Sequence, residues 1–282
     1  MTKIIEIMGC PTSQNRDDWT KIIKKQQCPF IGKKCIKTRK DNPDTAIGTC
    51  SVKYGKEENN VIICPHRMLE RKQIFMDCIH LLQLHTPGNE LHIIPEVSIP
   101  GGSVDYFLVS TDVNHNVVDF VGIEIQTMDT TGTLWSERQK LLTCLNVRNA
   151  GNVNNKNFGI NWKMTAKTIL IQLHHKIGTF ENLNKHLVLI AQDCLLDYMK
   201  KEFAFADNVS QNAKIGDSMQ FHSYEMHTNN DTNKIVLKNR YSTTSYGLSM
   251  LLGLNATSNV AFEEIARQLK SKISHETLLT LN

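Results

Sequence analysis

Asp105, Glu124 and Gln126 are the residues of this chain whose types and spacing best suit chemistry. Asp105 follows Pro100-Gly101-Gly102-Ser103-Val104, and Glu124 comes nineteen positions later, within Gly122-Ile123-Glu124-Ile125-Gln126. From Val121 to Gln126, apolar Val121, Ile123 and Ile125 alternate with Gly122, Glu124 and Gln126. A period of two predicts a strand with Glu124 and Gln126 on one face, roughly 6.6 Å apart. Asp105 sits in a similar alternation with Val104, Tyr106 and Leu108, and the polar loop Asp112 to Asn116 joins the two runs. A hairpin there sets Asp105 beside Glu124. A carboxylate inside a buried strand is costly unless it meets a cation. Two carboxylates and an amide suit Mg²⁺, which takes few protein ligands and keeps waters and phosphate oxygens in its shell. The chemistry implied is attack of an activated water on a phosphodiester. Gln126 can orient that water but carries no charge, so charge must come from the metal or a lysine. Lys163 and Lys167, one helical turn apart, are candidates for that role or for contact with phosphate backbone. Glu96, nine residues before Asp105, is a candidate additional acid.

The cysteines form a second constellation. Cys28, Cys35, Cys50 and Cys64 read C-x6-C-x14-C-x13-C in a polar, loop-rich stretch. Four thiolates around one tetrahedral ion can staple a segment too poor in apolar residues to fold by burial. Cys10 competes for one ligand position, and His66 for that of Cys64. Cys78, Cys144 and Cys194 fall in helical or apolar contexts and are expected to be free and buried. The eleven histidines show no metal-ligand spacing. Between Lys21 and Lys40 there are eight Lys or Arg residues and no acid, among them Lys33, Lys34, Lys37 and Arg39. Such a local basic surface suits phosphate.

The elements that must position these groups are legible in outline. Residues 1–65 are expected to be an irregular, metal-bound module, and 66–282 the core. A helix is expected from His66 to His85, ended by Pro87-Gly88-Asn89. Strands are expected at Leu91 to Ile99, Asp105 to Ser110 and Val117 to Met128, and a connecting region at Asp129 to Asn157. Trp162 to Ile177 carries the clearest amphipathic stripe, in Trp162, Ala166, Ile169, Leu170, Leu173 and Ile177. His186 to Gln192 is continuously apolar, as a doubly covered central strand should be. A helix at Asp193 to Phe203, a strand at Lys234 to Tyr241 and a helix at Phe262 to Ile273 complete the pattern. Strands flanked by helices predict a mixed α/β fold.

Length and charge bound the rest. The 282 residues can bury a sizeable core, and a net charge of +4 excludes a general polycation. No apolar run approaches the roughly 20 residues of a membrane span, and the N-terminus does not read as a secretory signal. Eight cysteines then point to a reducing cytoplasm, with thiols serving metal binding or packing.

Several motifs together resemble the NotI-type restriction endonucleases. In the N-terminal part these are Gly9-Cys10-Pro11-Thr12, Cys28-Pro29-Phe30 to Cys35, Gly48-Thr49-Cys50-Ser51-Val52 and Ile63-Cys64-Pro65. In the catalytic core they are Gly102 to Val109, Ile123-Glu124-Ile125-Gln126 with Gly132, Asn161-Trp162-Lys163-Met164 to Lys176, and Leu187 to Tyr198. The likeness covers Gly9 to Phe203. It implies a restriction-endonuclease-like, PD-(D/E)XK-type core in the variant where Gln replaces the final Lys. It further implies Asp105 and Glu124 as Mg²⁺ ligands and Cys28, Cys35, Cys50 and Cys64 around a structural iron, for which zinc is an alternative. The implied protein is a type II endonuclease cutting double-stranded DNA at a short palindrome. It would act as a cytoplasmic bacterial homodimer and be paired genetically with a DNA methyltransferase. A repair or junction-resolving nuclease on the same core, and a non-catalytic DNA-binding protein with a structural metal, are the alternatives.

Overall fold

His186–Gln192 forms a strand in which every residue is buried, because the continuous apolar run has no face to give to solvent. It lies inside a six-stranded mixed sheet whose strands follow in sequence order. We label them β1 (Glu90–Ile99), β2 (Gly102–Thr111), β3 (Val117–Gln126), β4 (His186–Gln192), β5 (Met219–Thr228) and β6 (Asn233–Thr243). The pairs β1–β2, β2–β3 and β5–β6 are antiparallel, and β3–β4 and β4–β5 are parallel. Helices supply the parallel crossovers: α1 (Trp135–Cys144) and α2 (Trp162–Asn182) before β4, and α3 (Asp193–Glu202) after it. The protein is thus mixed α/β. The structure, a computed structural model, describes residues 2–39, 42–147, 157–228, 232–254, 265, 267 and 269–272.

The expected strands hold with small shifts at their ends, β3 stopping at Gln126 rather than Met128, and α2 runs to Asn182 rather than Ile177. Its stripe packs on one sheet face, where Ala166, Ile169, Leu173, Ile177 and Phe180 join Phe107, Leu187 and Leu189 in one buried cluster. The opposite face carries Leu108, Val121, Ile123 and Ile190 against Met68, Ile74, Phe75 and Leu81. The single helix expected from His66 to His85 is instead three short pieces, Pro65–Lys72, Gln73–Met76 and Ile79–Leu81. Glu70 is extended at ψ 123°, and Arg71 and Lys72 are left-handed, which breaks the helical ladder. The buried Arg67 side chain, tied to Glu6 and Glu70, fixes this stretch more strongly than helix propensity.

The first 65 residues are not irregular. Ile4–Ile7, Cys10–Pro11, Thr49–Tyr54 and Asn59–Ile62 make a four-stranded sheet, and Trp19–Lys25 is a helix. The strands are too short for periodicity to declare them, but Ile4, Ile7, Val52 and Val61 share a buried cluster with the helical face of the large sheet. β5 and α1 have no counterpart in the expected elements. The helix expected at Phe262 to Ile273 lies largely outside the described residues, of which Ile265, Arg267, Leu269 and Lys270 are helical.

Two glycines set how closely α2 meets the sheet. A Cβ at Gly122 would lie 2.3 Å from Phe180 Cζ, so the bare backbone of β3 makes room for that ring. Gly101, at φ +99°, leads into β2, and a Cβ there would sit 2.1 Å from the His175 carbonyl oxygen. The chain before Asp105 is therefore pressed against the α2 backbone beside Lys176, and Thr179 Oγ1 donates to the Pro100 carbonyl at 3.0 Å. We expect Gly101→Ala to destabilise the fold by about 2 kcal/mol in urea unfolding, since both conformation and contact oppose a side chain. An unchanged midpoint and slope would contradict this account of the approach.

Candidate active site

Tyr106 pairs with Ile123 across the β2–β3 ladder, which sets Asp105 opposite Glu124 one step further on. Both share the parity of Phe107 and Phe120, whose rings pack on Phe180 of α2 at 6.0 and 6.4 Å, so both carboxylates lie on the helical side. The Ile125 backbone N–H donates to Asp105 Oδ2 at 2.8 Å and fixes that carboxylate against β3. Glu124 is buried, and Lys176 Nζ donates to its Oε1 at 2.6 Å. Lys176 is itself buried at 5% exposure, reaching inward from α2. Burial, reinforced by the charge of Asp105, raises the Glu124 carboxyl to about 7 even though the Lys176 bond pulls the other way. Two neighbouring carboxylates, one of them destabilised as an anion, are a donor set that a hard divalent cation would relieve. Asp105 Oδ1 and Glu124 Oε2 remain free of those bonds.

The lysine of the site is Lys176 and not Lys163 or Lys167, both of which are exposed on α2. Its signal was present in the sequence: Lys176 falls three residues after Leu173 and one before Ile177, interrupting the apolar stripe. Gln126 spends its amide on the Thr127 carbonyl at 2.6 Å, leaving its Oε1 without that engagement. Glu96 is exposed, at φ +52°, between the pairs Pro95–Tyr106 and Val97–Val104, a left-handed conformation unusual for glutamate. Its charge is felt together with that of Asp105 at Tyr106. Among the described residues, Asp105 and Glu124 belong to no group of three acidic, histidine or cysteine residues whose ligand atoms all lie within 4.8 Å of one another.

The four thiols are gathered. Cys28 and Cys64 each feel the charge of Cys35, and Cys50 feels those of Cys64 and Cys28. Cys28 and Cys35 flank a small hairpin in which Gln27 pairs with Lys34 and Cys28 with Lys33. Burial pushes the Cys28, Cys50 and Cys64 thiols up, while backbone N–H groups aim at their sulfurs. Phe30 and Ile31 serve Cys28, His66 and Arg67 serve Cys64, and Gly9 serves Cys50. Amides directed at sulfur favour thiolate, the form that binds metal, so the set fits a thiophilic ion. No three of the sulfurs lie within 4.8 Å, so the cluster is more open than a closed coordination shell. Cys10 is coupled to Arg16, Asp18 and Glu6 rather than to these four, and His66 meets Cys64 through its backbone. Cys78 is buried and Cys194 half-buried, but Cys144, expected to be buried, is exposed at the end of α1.

Among the basic residues, Lys33 and Lys34 are exposed and Lys37 donates to the Ile63 carbonyl at 3.2 Å. Arg39 lies 4.2 Å over the Trp135 ring, which Arg138 also covers at 4.8 Å. A cavity of about 580 Å³ beside the ends of β4 and β5 includes Trp162, Gln192 and Tyr198, but Glu57, Asp193, Asp197 and Glu225 make it unsuited to phosphate. Among the described residues, no helix is long and apolar enough to cross a membrane. No protein-family model matches this chain, and no curated protein matches it.

The Glu124–Lys176 bond leads to a titration test. Lys176→Met should raise the Glu124 pKa further above about 7, read by ¹³C-carboxyl NMR without added metal. Because the folded value lies above the ordinary 4.5, the associated stability is present at low pH and is lost as pH rises through about 7. An unmoved Glu124 titration would show that the lysine does not govern this carboxylate.

Proposed function

We propose that this protein is a Mg²⁺-dependent endonuclease that hydrolyses double-stranded DNA at a short specific palindrome, acting as a homodimer. The observation that carries the reading is Asp105 beside Glu124 on adjacent strands, with buried Lys176 bonded to Glu124. In this reading the six-stranded sheet is a restriction-endonuclease-like core, and the four thiols hold an iron or zinc ion beneath a DNA-contacting surface. A two-fold dimer matches a two-fold DNA site.

The side chains divide the work. Asp105 and Glu124 hold Mg²⁺, which when bound supplies positive charge to the scissile phosphate and acidifies a water. Lys176 provides the fixed positive charge that Gln126 lacks, and it steadies Glu124 as an anion. Gln126 Oε1 accepts a hydrogen bond from the attacking water. Lys33, Lys34, Lys163 and Lys167 offer exposed ammonium groups to phosphates, and Lys37 and Arg39 line the same basic segment. The resemblance to the NotI-type endonucleases agrees with this division, with Lys176 as an addition to it.

Purified protein with Mg²⁺ should cut a plasmid of known sequence into discrete fragments with uniform ends. Asp105→Ala and Glu124→Ala should abolish cutting, and Lys176→Ala should lower kcat by about 100-fold while the protein stays folded by circular dichroism. Retained cutting in both acid variants would falsify the site. Cleavage confined to branched DNA would favour a junction-resolving enzyme.

The thiol cluster is tested separately. Protein purified without added metal should carry about one iron or zinc ion per chain by inorganic mass spectrometry. Cys28→Ser and Cys50→Ser should each lose that ion and lower the soluble yield. Undiminished metal content in both variants would remove these cysteines from the ligand set.

A further inference from the structure

The far end of the β1–β2–β3 edge brings together three groups that the active-site reading does not use. Glu90 begins β1, His92 follows two residues later, and His115 sits in the turn between β2 and β3. His92 Nε2 is 3.5 Å from Glu90 Oε2, and His115 Nδ1 is 3.7 Å from the same oxygen. The three ligand atoms all lie within 4.8 Å of one another. A tetrahedral ion with arms of about 2.0–2.1 Å needs ligand atoms roughly 3.4 Å apart, so two of the three edges are already near that length.

We propose that Glu90, His92 and His115 bind one borderline divalent transition ion, of the Zn²⁺ class, at a site distinct from the proposed Mg²⁺ centre. Two imidazoles and a carboxylate select such ions over Mg²⁺, which prefers oxygen ligands alone. The turn holding His115 is prearranged. Asp112 Oδ1 accepts the N–H groups of Asn114 and Asn116 at 2.8 Å each, and Asp112 Oδ2 accepts from Asn116 Nδ2 at 2.9 Å. His115 is left-handed at φ +63°, and its ring stands at 71° to that of His92. Thr111 Oγ1, 3.2 Å from His92 Nε2, is the hydrogen-bond partner that an ion would displace. The side chains are 42% (His92), 58% (Glu90) and 75% (His115) exposed, which gives an ion a path in and leaves its remaining positions to water. Exposed charge pairs of this kind hold each other weakly, so their own attraction does little to explain the convergence. Thr111, opposite Glu90, is six residues along β2 from Asp105, roughly 20 Å away. An ion here would brace the turn against the edge strand that carries Glu96.

The test uses the full chain, with Zn²⁺ as the probe. Zinc titrated into wild-type protein should move the His92 and His115 imidazole resonances in ¹H–¹⁵N NMR, with saturation at one equivalent beyond the thiol cluster. His92→Ala and His115→Ala should each bind one equivalent fewer by calorimetry, with the fold intact by circular dichroism. Unmoved imidazoles under excess Zn²⁺, or wild-type stoichiometry in both variants, would overturn the assignment. Since no step depends on DNA cleavage, this result stands apart from the nuclease reading.

Discussion

Arg67 is the charge on which the arrangement of the two sheets rests. Fully buried, its Nε donates to Glu6 Oε2 at 2.8 Å, Nη1 to Glu70 at 3.1 Å, and Nη2 to the Asn233 carbonyl at 2.8 Å. Phe30, from the hairpin between Cys28 and Cys35, lies under the guanidinium at 5.0 Å. One side chain thus joins the N-terminal sheet, the broken helical stretch, the end strand β6 and the thiol hairpin. Burial raises the Glu6 carboxyl, and Arg67 and Ser51 hold it back. Losing one partner of such a buried pair costs about 3–5 kcal/mol, because the other charge is left desolvated. Gln192 adds a neutral clamp, accepting from the Ile62 N–H and donating to the Asn60 carbonyl.

The same rule, that a buried charge needs a complete set of partners, governs the candidate active site. Glu124 lies between an anion on β2 and a cation on α2, and neither satisfies it fully. Asp105 raises its proton affinity, and Lys176 lowers it. A centre balanced in this way is responsive to an added cation, whereas the Arg67 cluster, with each guanidinium nitrogen engaged, is a fixed joint. Glycine at positions 101 and 122 lets the helix and sheet come close enough for Lys176 to reach across. The tight packing around the carboxylates and the proposed chemistry therefore have one origin.

Much of this is legible in the sequence, and the legible parts share a property. The alternation Val121 to Gln126, the stripe of α2 and the apolar run of β4 are local patterns, and local patterns survive folding when one or both faces are buried. The N-terminal sheet escaped because strands of two to six residues carry too little periodicity. The helix expected after His66 failed because Arg67 gains more from its three anchors than the segment gains from a continuous ladder.

The amino-acid order determined which residues could do chemistry: the two carboxylates on neighbouring strands, the amide beside them, the four thiols and the basic stretch around them. Only the tertiary structure decided which cation answers Glu124, because Lys176 is 52 residues away and meets it through the packing of a helix on a sheet. It likewise brought His115, from the turn between β2 and β3, to Glu90 and His92 on β1, a meeting that no spacing rule describes. Residue type and period are properties of short segments, whereas partnership between charges is a property of distance, and distance is set when the chain packs.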